Sequence, residues 1–308
     1  MKTVFIVNPA AGKGKQKDAV LKRLQNLNEN IEIYMTKTPK DAERYVKDYC
    51  KLHGAARFIA CGGDGTFSEV LNGAIHTEGA EVGIVPMGTG NDFIRNFEDA
   101  DFQNCKLQMS CDAEICDAIK YRTEVDGKVR EGYCANMFNI GFDCSVADLT
   151  AEVKEKTIFS GPFAYFFAIL LTLIQKRTYP FRVVADGEVI ADGEVLLTAV
   201  ANGSYCGGGV KSNPLAELTD GMIQYNVIKN VSRLKFISLL PSYMKGTFLQ
   251  KKGIEQIIVS QKCKTLTVTP KEGKMRLCID GEITDAEKTE FTIVPQAFRF
   301  VVPKETEA

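Results

Sequence analysis

The chain has 308 residues, a formal net charge of −1 and an ordinary mix of 45% hydrophobic and 25% charged residues, enough for two domains and a substantial core. That balance excludes bulk nucleic-acid binding, which brings a strong basic excess. Only two histidines occur, His53 and His76, both expected at exposed helix ends, so carboxylates must carry any proton transfer.

Residues 1 to about 120 alternate strand and helix signals. Thr3–Val7 is a buried strand, and Asn8-Pro9-Ala10-Ala11-Gly12-Lys13-Gly14 a loop. Gln16 to Leu27 places Ala19, Val20, Leu24 and Leu27 on one helical face. Ile31–Met35 is a second strand and Asp41–Leu52 a second helix. Two glycine-rich units follow. Arg57–Cys61 runs into Gly62-Gly63-Asp64-Gly65-Thr66, and Glu81–Pro86 runs into Gly88-Thr89-Gly90-Asn91-Asp92. Each precedes a stretch that reads as a helix, the first starting at Thr66. Strand, glycine loop and helix start make a phosphate site, because glycine admits close backbone approach and the first helical N–H groups point at the anion. Asp64 and Asp92 would repel a bare phosphate, so each acts through a magnesium ion or its waters, or else caps a helix. The pattern fits neither the Walker loop nor the dinucleotide fingerprint. Repeated βα units predict a mostly parallel sheet, with Asn8, Thr36 and both glycine loops on the rim at the carboxyl ends of the strands. Lys13, Lys15 and Lys17 are a solvated face or an attraction for phosphate.

From about Tyr121 strand-like runs dominate: 182–187, 194–200, 223–228, 257–260, 265–269 and 276–279. Asp-Gly pairs at Asp126, Asp186 and Asp280 predict tight hairpin turns. Helices interrupt the strands at 158–175 and 234–248. The apolar run Phe163–Ile174 is shorter than the ~20 residues of a spanning helix. It reads as a buried helix, or as one facing a lipid. Lys235, Lys245, Lys251 and Lys252 border the apolar run 236–240, which is either an amphipathic core helix or a docking surface for anionic membrane. The expected division is an α/β nucleotide-binding domain over 1–122 and a β-sandwich over 123–295, with 296–308 packing back on the first domain. The ten cysteines show no CxxC pair and no Cys/His cluster at metal spacing. They read as reduced, mostly buried thiols of a cytoplasmic protein without a signal peptide.

The glycine loops, Asn8–Gly12, Asn202-Gly203, Pro214–Gly221 and Asp280-Gly281-Glu282 stand in an order that closely resembles the diacylglycerol kinase catalytic-domain family, from Lys2 to about Val302. The family also holds sphingosine and ceramide kinases. The resemblance implies a nucleotide-binding domain of NAD kinase/diacylglycerol kinase type, a β-sandwich domain, and an ATP cleft between them. It implies ATP contacts at Asn8, Pro9, Ala10, Ala11, Gly12, Thr36, Gly62, Gly63, Asp64, Gly65, Thr66, Phe67, Ser68, Thr89 and Asn91. Asp64, Asp92 and Asp117 would organise catalytic magnesium through waters. Asp280 and Glu282 would be the catalytic carboxylates, one accepting the proton of the substrate hydroxyl; on an extended segment both would face one side. Asp280-Gly281 taken alone is also a plain hairpin turn. The segment 217–222 resembles a structural magnesium loop, with Asp220 binding by its side chain and Glu217 and Met222 by main-chain carbonyls; Asp220-Gly221 alone reads as a turn.

The resulting expectation is an ATP- and magnesium-dependent lipid kinase, cytoplasmic and peripherally membrane-associated, with diacylglycerol the default acceptor. The alternatives are a kinase for a sphingoid-type or NAD-like hydroxyl, and a nucleotide- and lipid-binding regulator without turnover. No nucleic-acid partner is expected, and a homodimer is left open.

Overall fold

The computed structural model describes residues 1–27, 31–141 and 179–304. The chain forms two compact units. One comprises Met1–Asp117 together with the segment from Gln296 onward, and the other is Ala118–Pro295.

In the first unit, β1 (Thr3–Val7), β2 (Glu32–Met35), β3 (Arg57–Gly62) and β4 (Glu81–Pro86) pair in parallel in the order β2-β1-β3-β4. The end of β15 (Lys288–Val301) adds to β4, also in parallel, through Arg299 opposite Glu81 and Phe300 opposite Val82. Every residue of β1 and β3 is buried, which explains their unbroken apolar sequence: a sheet covered on both faces has no solvent side to alternate with. The helices are α1 (Lys17–Gln25), α2 (Asp41–His53), α3 (Asp64–Ala74) and α4 (Cys105–Ser110). His53 and His76 are exposed at helix ends, as expected.

Two local expectations change. On α1 the buried residues are Val20 and Leu24, whereas Ala19 faces solvent. After the second glycine loop there is no α-helix, only the 3₁₀ turn Phe93–Asn96. Aromatic packing explains this. Phe93 stacks on Phe67 with ring centroids 4.9 Å apart and meets Phe300 edge-on at 4.9 Å. Phe97 packs on Phe300, also at 4.9 Å. The rings fix the chain after Asp92 from outside, and they tie the C-terminal segment into this unit.

The second unit is antiparallel. Its strands are the end of β5 (Ala113–Val125), β6 (Lys128–Cys134), β7 (Met137–Gly141), β8 (Tyr179–Ala185), β9 (Glu188–Ala201), β10 (Ile223–Lys229), β11 (Ile258–Cys263), β12 (Thr265–Pro270), β13 (Met275–Ile279), β14 (Glu282–Ala286) and the start of β15. The long strand β9 organises the unit: its first half pairs with β8, its second half with β7 and β10. All three Asp-Gly pairs form two-residue hairpin loops. Asp126/Gly127, Asp186/Gly187 and Asp280/Gly281 have φ of 51°/68°, 47°/86° and 46°/94°. Two successive left-handed residues match the twist of the flanking strands, and Asp with Gly tolerates them. The inner faces bury Phe138, Phe181, Tyr225, Leu266, Leu277 and Phe291 in one core. Among its described residues, the α-helix α5 (Arg233–Met244) lies over a second core that includes Leu197, Ile228, Leu240 and Phe248. The helix expected at 158–175, with the apolar run 163–174, lies outside the described residues.

An ion pair is buried in the first unit. Arg57 Nη2 lies 2.6 Å from Glu81 Oε2, with the two side chains 10% and 9% exposed. Arg57 Nη1 also donates to the Gln108 carbonyl at 3.0 Å. Arg299 Nε also lies 3.4 Å from Glu81 Oε1, so Arg57→Ala removes the nearer of two cations beside buried Glu81 and is expected to lower stability by about 1–3 kcal/mol, less than the loss of a sole partner. A denaturant melt checks it; a loss near zero would mean that Arg299 alone compensates Glu81.

Candidate active site

Parallel pairing brings the ends of four strands to one rim. Asn8 follows β1, Thr36 follows β2, Gly62-Gly63 closes β3, and Met87-Gly88 follows β4. The register is held at this edge by backbone bonds: Asn8 N–H to Cys61 O (2.9 Å), Thr36 N–H to Val7 O (2.9 Å) and Met87 N–H to Gly62 O (2.7 Å). Asn8 then links two loops. Its Oδ1 accepts the Ala10 N–H at 3.0 Å, turning the first loop, and its Nδ2 donates to Thr66 Oγ1 at 3.0 Å.

The glycines are there for space. A Cβ on Gly62 would meet Thr66 Oγ1 at 2.3 Å, and one on Gly12, at φ 59°, would meet the Met87 carbonyl at 2.3 Å. A Cβ on Gly88 would stand 2.7 Å from the Gly63 Cα. The two glycine loops therefore touch backbone to backbone. Above that contact begins α3, whose first intrahelical bond is Phe67 N–H to Gly63 O at 3.1 Å. The N–H groups of the turn before it have no partner within the helix, the arrangement that suits an anion.

Asp64 joins the second loop to this helix start. Its Oδ1 accepts the Asp92 N–H at 2.9 Å and the Phe93 N–H at 3.5 Å. Asp92 is 8% exposed, and Arg95 Nε lies 3.5 Å from its Oδ1. The second oxygens of both carboxylates flank Gly90, where a Cβ would lie 2.8 Å from Asp64 Oδ2 and 3.4 Å from Asp92 Oδ2. Neither aspartate caps a helix through its side chain. Burial pushes the Asp64 carboxyl up, against the lowering effect of the Phe93, Asp92 and Asn91 N–H groups. Two paired carboxylates on one side of a glycine loop fit a hydrated magnesium ion, whose charge offsets theirs.

Other expected residues stand elsewhere. Asp117 is buried, but its Oδ1 receives the Gln296 N–H at 2.8 Å, where Gln296 adopts φ 52°. Phe67 is 2% exposed and turns its ring into the aromatic core, so only its backbone belongs to the loop. In the second unit, Asp280 and Glu282 do not share an extended segment. Asp280 is the first residue of the left-handed turn and its Oδ1 accepts the Met137 N–H at 3.3 Å, whereas exposed Glu282 opens β14.

The expected structural magnesium loop already holds a cation. Lys262 Nζ lies 2.6 Å from Asp220 Oδ2 and 2.7 Å from Glu217 Oε1. Asp220 Oδ1 accepts the Met222 N–H at 3.0 Å. Both carboxylate oxygens of Asp220 accept from donors of the chain, so a divalent ion at this loop would have to take the place of the Lys262 ammonium. Sequence reading missed Lys262, which lies some forty residues further on, on the strand that pairs with β10. Among the described residues, no group of three or more His, Cys, Asp or Glu could hold a metal ion.

Two family models cover most of the chain. The diacylglycerol kinase catalytic domain matches residues 2–122, and the YegS C-terminal NAD kinase beta sandwich-like domain matches 136–302. A diacylglycerol kinase of Staphylococcus carnosus (strain TM300) is 30% identical, the match covering 98% of this chain and 95% of that one. The chain belongs to the diacylglycerol kinase family. Another relative, a diacylglycerol kinase of Bacillus subtilis (strain 168), is 28% identical over 98% of this chain and 96% of that one. In fold this family member is similar to the crystal structure of a diacylglycerol kinase from Bacillus anthracis str. Sterne, with TM-score 0.68 and 22% identity over 98% of this chain and 96% of that one. The fold extends to the yeast NADH kinase complexed with NADH, with TM-score 0.55 and 12% identity over 99% and 84%.

The raised carboxyl of Asp64 gives a stability test. Its protonated form favours the fold, and that contribution disappears as pH rises through the folded pKa. At neutral pH the ionised group destabilises, and a cation bound to it restores stability by mass action. Magnesium is therefore expected to raise the Tm of the wild type. Asp64→Asn should melt at or above the metal-free wild type and show no response to magnesium or to chelator. Lys262→Met in that background should create a response by leaving Asp220 and Glu217 without their ammonium. A magnesium response in Asp64→Asn itself would show an ion held elsewhere.

Proposed function

We propose that this protein transfers the γ-phosphoryl group of ATP to the hydroxyl of a lipid, with diacylglycerol as acceptor and phosphatidic acid as product. The observation that carries the reading is the contact of two glycine loops at one rim, with Asp64 and Asp92 converging over Gly90. The family assignment supports kinase chemistry on a lipid.

Phosphoryl transfer asks a protein for positioning and charge neutralisation rather than covalent help. The first-turn N–H groups of α3 and the loops at Asn8–Gly12 and Gly88–Asn91 receive the triphosphate. Asp64 and Asp92 would hold a magnesium ion, which would supply charge neutralisation for the transferred phosphate, and Asp117 fixes the backbone at Gln296. The acceptor oxygen attacks the γ-phosphorus, the bond to the β-phosphate oxygen breaks, and ADP leaves. The hydroxyl proton passes to a carboxylate, for which Asp280 and Glu282 are the proposed pair. Asp280 is oriented by the Met137 N–H, and Glu282 is the more exposed of the two.

Asp64→Ala and Asp92→Ala are each expected to lower turnover by about 10²–10³, comparable to removing one preorganised charge-stabilising group. Transfer from labelled ATP to a panel of diacylglycerol, sphingoid and NAD acceptors in mixed micelles measures it. Near-normal turnover in folded variants would reduce both residues to loop connectors, and preference for another acceptor would replace diacylglycerol. Asp280→Asn and Glu282→Gln keep shape and remove the base. One of them should lose about 10²-fold or more in kcat with ATP affinity retained. Wild-type rates in both would leave Asp280 as a hairpin residue alone.

A further inference from the structure

The exposed face of α5 combines apolar side chains with lysines unpaired among the described residues. The helix starts at Ser232, whose Oγ accepts the Lys235 N–H at 3.3 Å. Leu240 is buried, and Phe236, Leu239, Tyr243 and Met244 pack with it onto the core beneath. The opposite stripe, at helical spacing, is Leu234, Ile237 and Pro241, leading to Lys245, all exposed. Leu234 is 82% exposed, the highest value of any large apolar side chain in the described residues, and Ile237 on the same stripe is 45% exposed. An apolar stripe on the outer side of a helix already seated by its inner side is not required by folding.

Charge says what covers it. The chain has 39 acidic and 38 basic residues, yet no Asp or Glu occurs between Asp220 and Glu255. That stretch carries Lys229, Arg233, Lys235, Lys245, Lys251 and Lys252. Lys235, Lys245, Lys251 and Lys252 are exposed and make no ion pair among the described residues. A protein partner of average composition would leave these ammonium groups unmatched, whereas an anionic bilayer offers phosphate to the lysines and acyl chain to Leu234 and Ile237. No described helix is long and apolar enough to cross a membrane, so contact of this kind lies in the plane of the interface.

We propose that the outer face of α5, with the exposed stripe Leu234, Ile237 and Pro241 flanked along the helix by Lys235 and Lys245 and followed in the chain by Lys251 and Lys252, docks the protein on an anionic lipid bilayer. The proposal rests on the lipid-kinase reading for its purpose, since a diacylglycerol acceptor is confined to a bilayer, but its geometry stands independently of turnover.

The test is co-sedimentation of the full chain with vesicles of phosphatidylcholine alone or mixed with phosphatidylglycerol. Binding is expected to the mixed vesicles only and to weaken with salt. Leu234→Ser with Ile237→Ser should lower the partition coefficient about tenfold or more, by analogy with burial of two large apolar side chains. Lys235→Glu with Lys245→Glu should abolish the preference for anionic vesicles, each lysine being worth about fivefold. Both pairs are solvent-facing, so thermal melts should match the wild type and confirm folding. Phosphorylation of a short-chain, water-soluble diacylglycerol below its micellar concentration should be unchanged in the variants, while turnover on mixed vesicles falls with binding. Absence of vesicle binding by the wild type, or unchanged binding in both variant pairs, overturns the proposal. So does a dimer in sedimentation velocity that the Leu234 and Ile237 substitutions dissociate, which would assign the stripe to a second copy. Failure of the wild type to phosphorylate any acceptor, with vesicle binding intact, would overturn the kinase reading and leave the docking surface standing.

Discussion

The close approach of Gly63 and Gly88 is the constraint on which the first unit depends. A single methyl group on Gly88 would come within 2.7 Å of the neighbouring Cα, closer than real carbon atoms pack. Because that space is empty of side chains, two loops on adjacent parallel strands can lie against one another. Asp64, at the first turn of α3, can then accept the Asp92 and Phe93 N–H groups of the other loop. The helix start, the anionic pair and the second loop are thereby one rigid object. A side chain at either glycine would separate them, and with them the carboxylates from the first N–H groups of the helix.

This arrangement is held from behind by apolar packing. Phe67, three residues after Asp64, stacks on Phe93, one residue after Asp92. Each loop therefore projects a carboxylate to the rim and an aromatic ring into the core within a few residues. The same rings meet Phe298 and Phe300, so the C-terminal segment supports the site without supplying a group to it. Asp117, buried beside Gln296, works similarly, stabilising a left-handed backbone position at the return of the chain.

Charge is handled differently in three places. Arg57 and Glu81 neutralise each other in the interior, where an unpaired charge is expensive. Lys262 neutralises Glu217 and Asp220 at a loop. Asp64 is left with hydrogen bonds rather than a cation of the chain, and burial raises its carboxyl. That residual imbalance is what a functional ion would correct, and it is tolerated because the groups near it are held by the rest of the fold.

The sequence by itself determined the class of the fold, the rim and the hairpins. Unbroken apolar strands followed by glycine loops are a local signature of a parallel sheet. Asp-Gly at positions 126, 186 and 280 demanded the turns that were found, because few other pairs accept two left-handed residues. Short or charge-bearing strands such as β7 and β6 carried too little local signal to be read, and β9 revealed only its apolar half. Tertiary structure alone decided the rest. Phe67 and Phe93 turned what read as a second helix start into a 3₁₀ turn. Lys262, distant in sequence, stands beside Asp220 and neutralises it. Asp280 and Glu282, two residues apart, differ in exposure because a left-handed turn rather than an extended strand joins them. Local chemistry fixes what one residue can accept; which partner reaches it is a property of contacts between residues far apart in the chain.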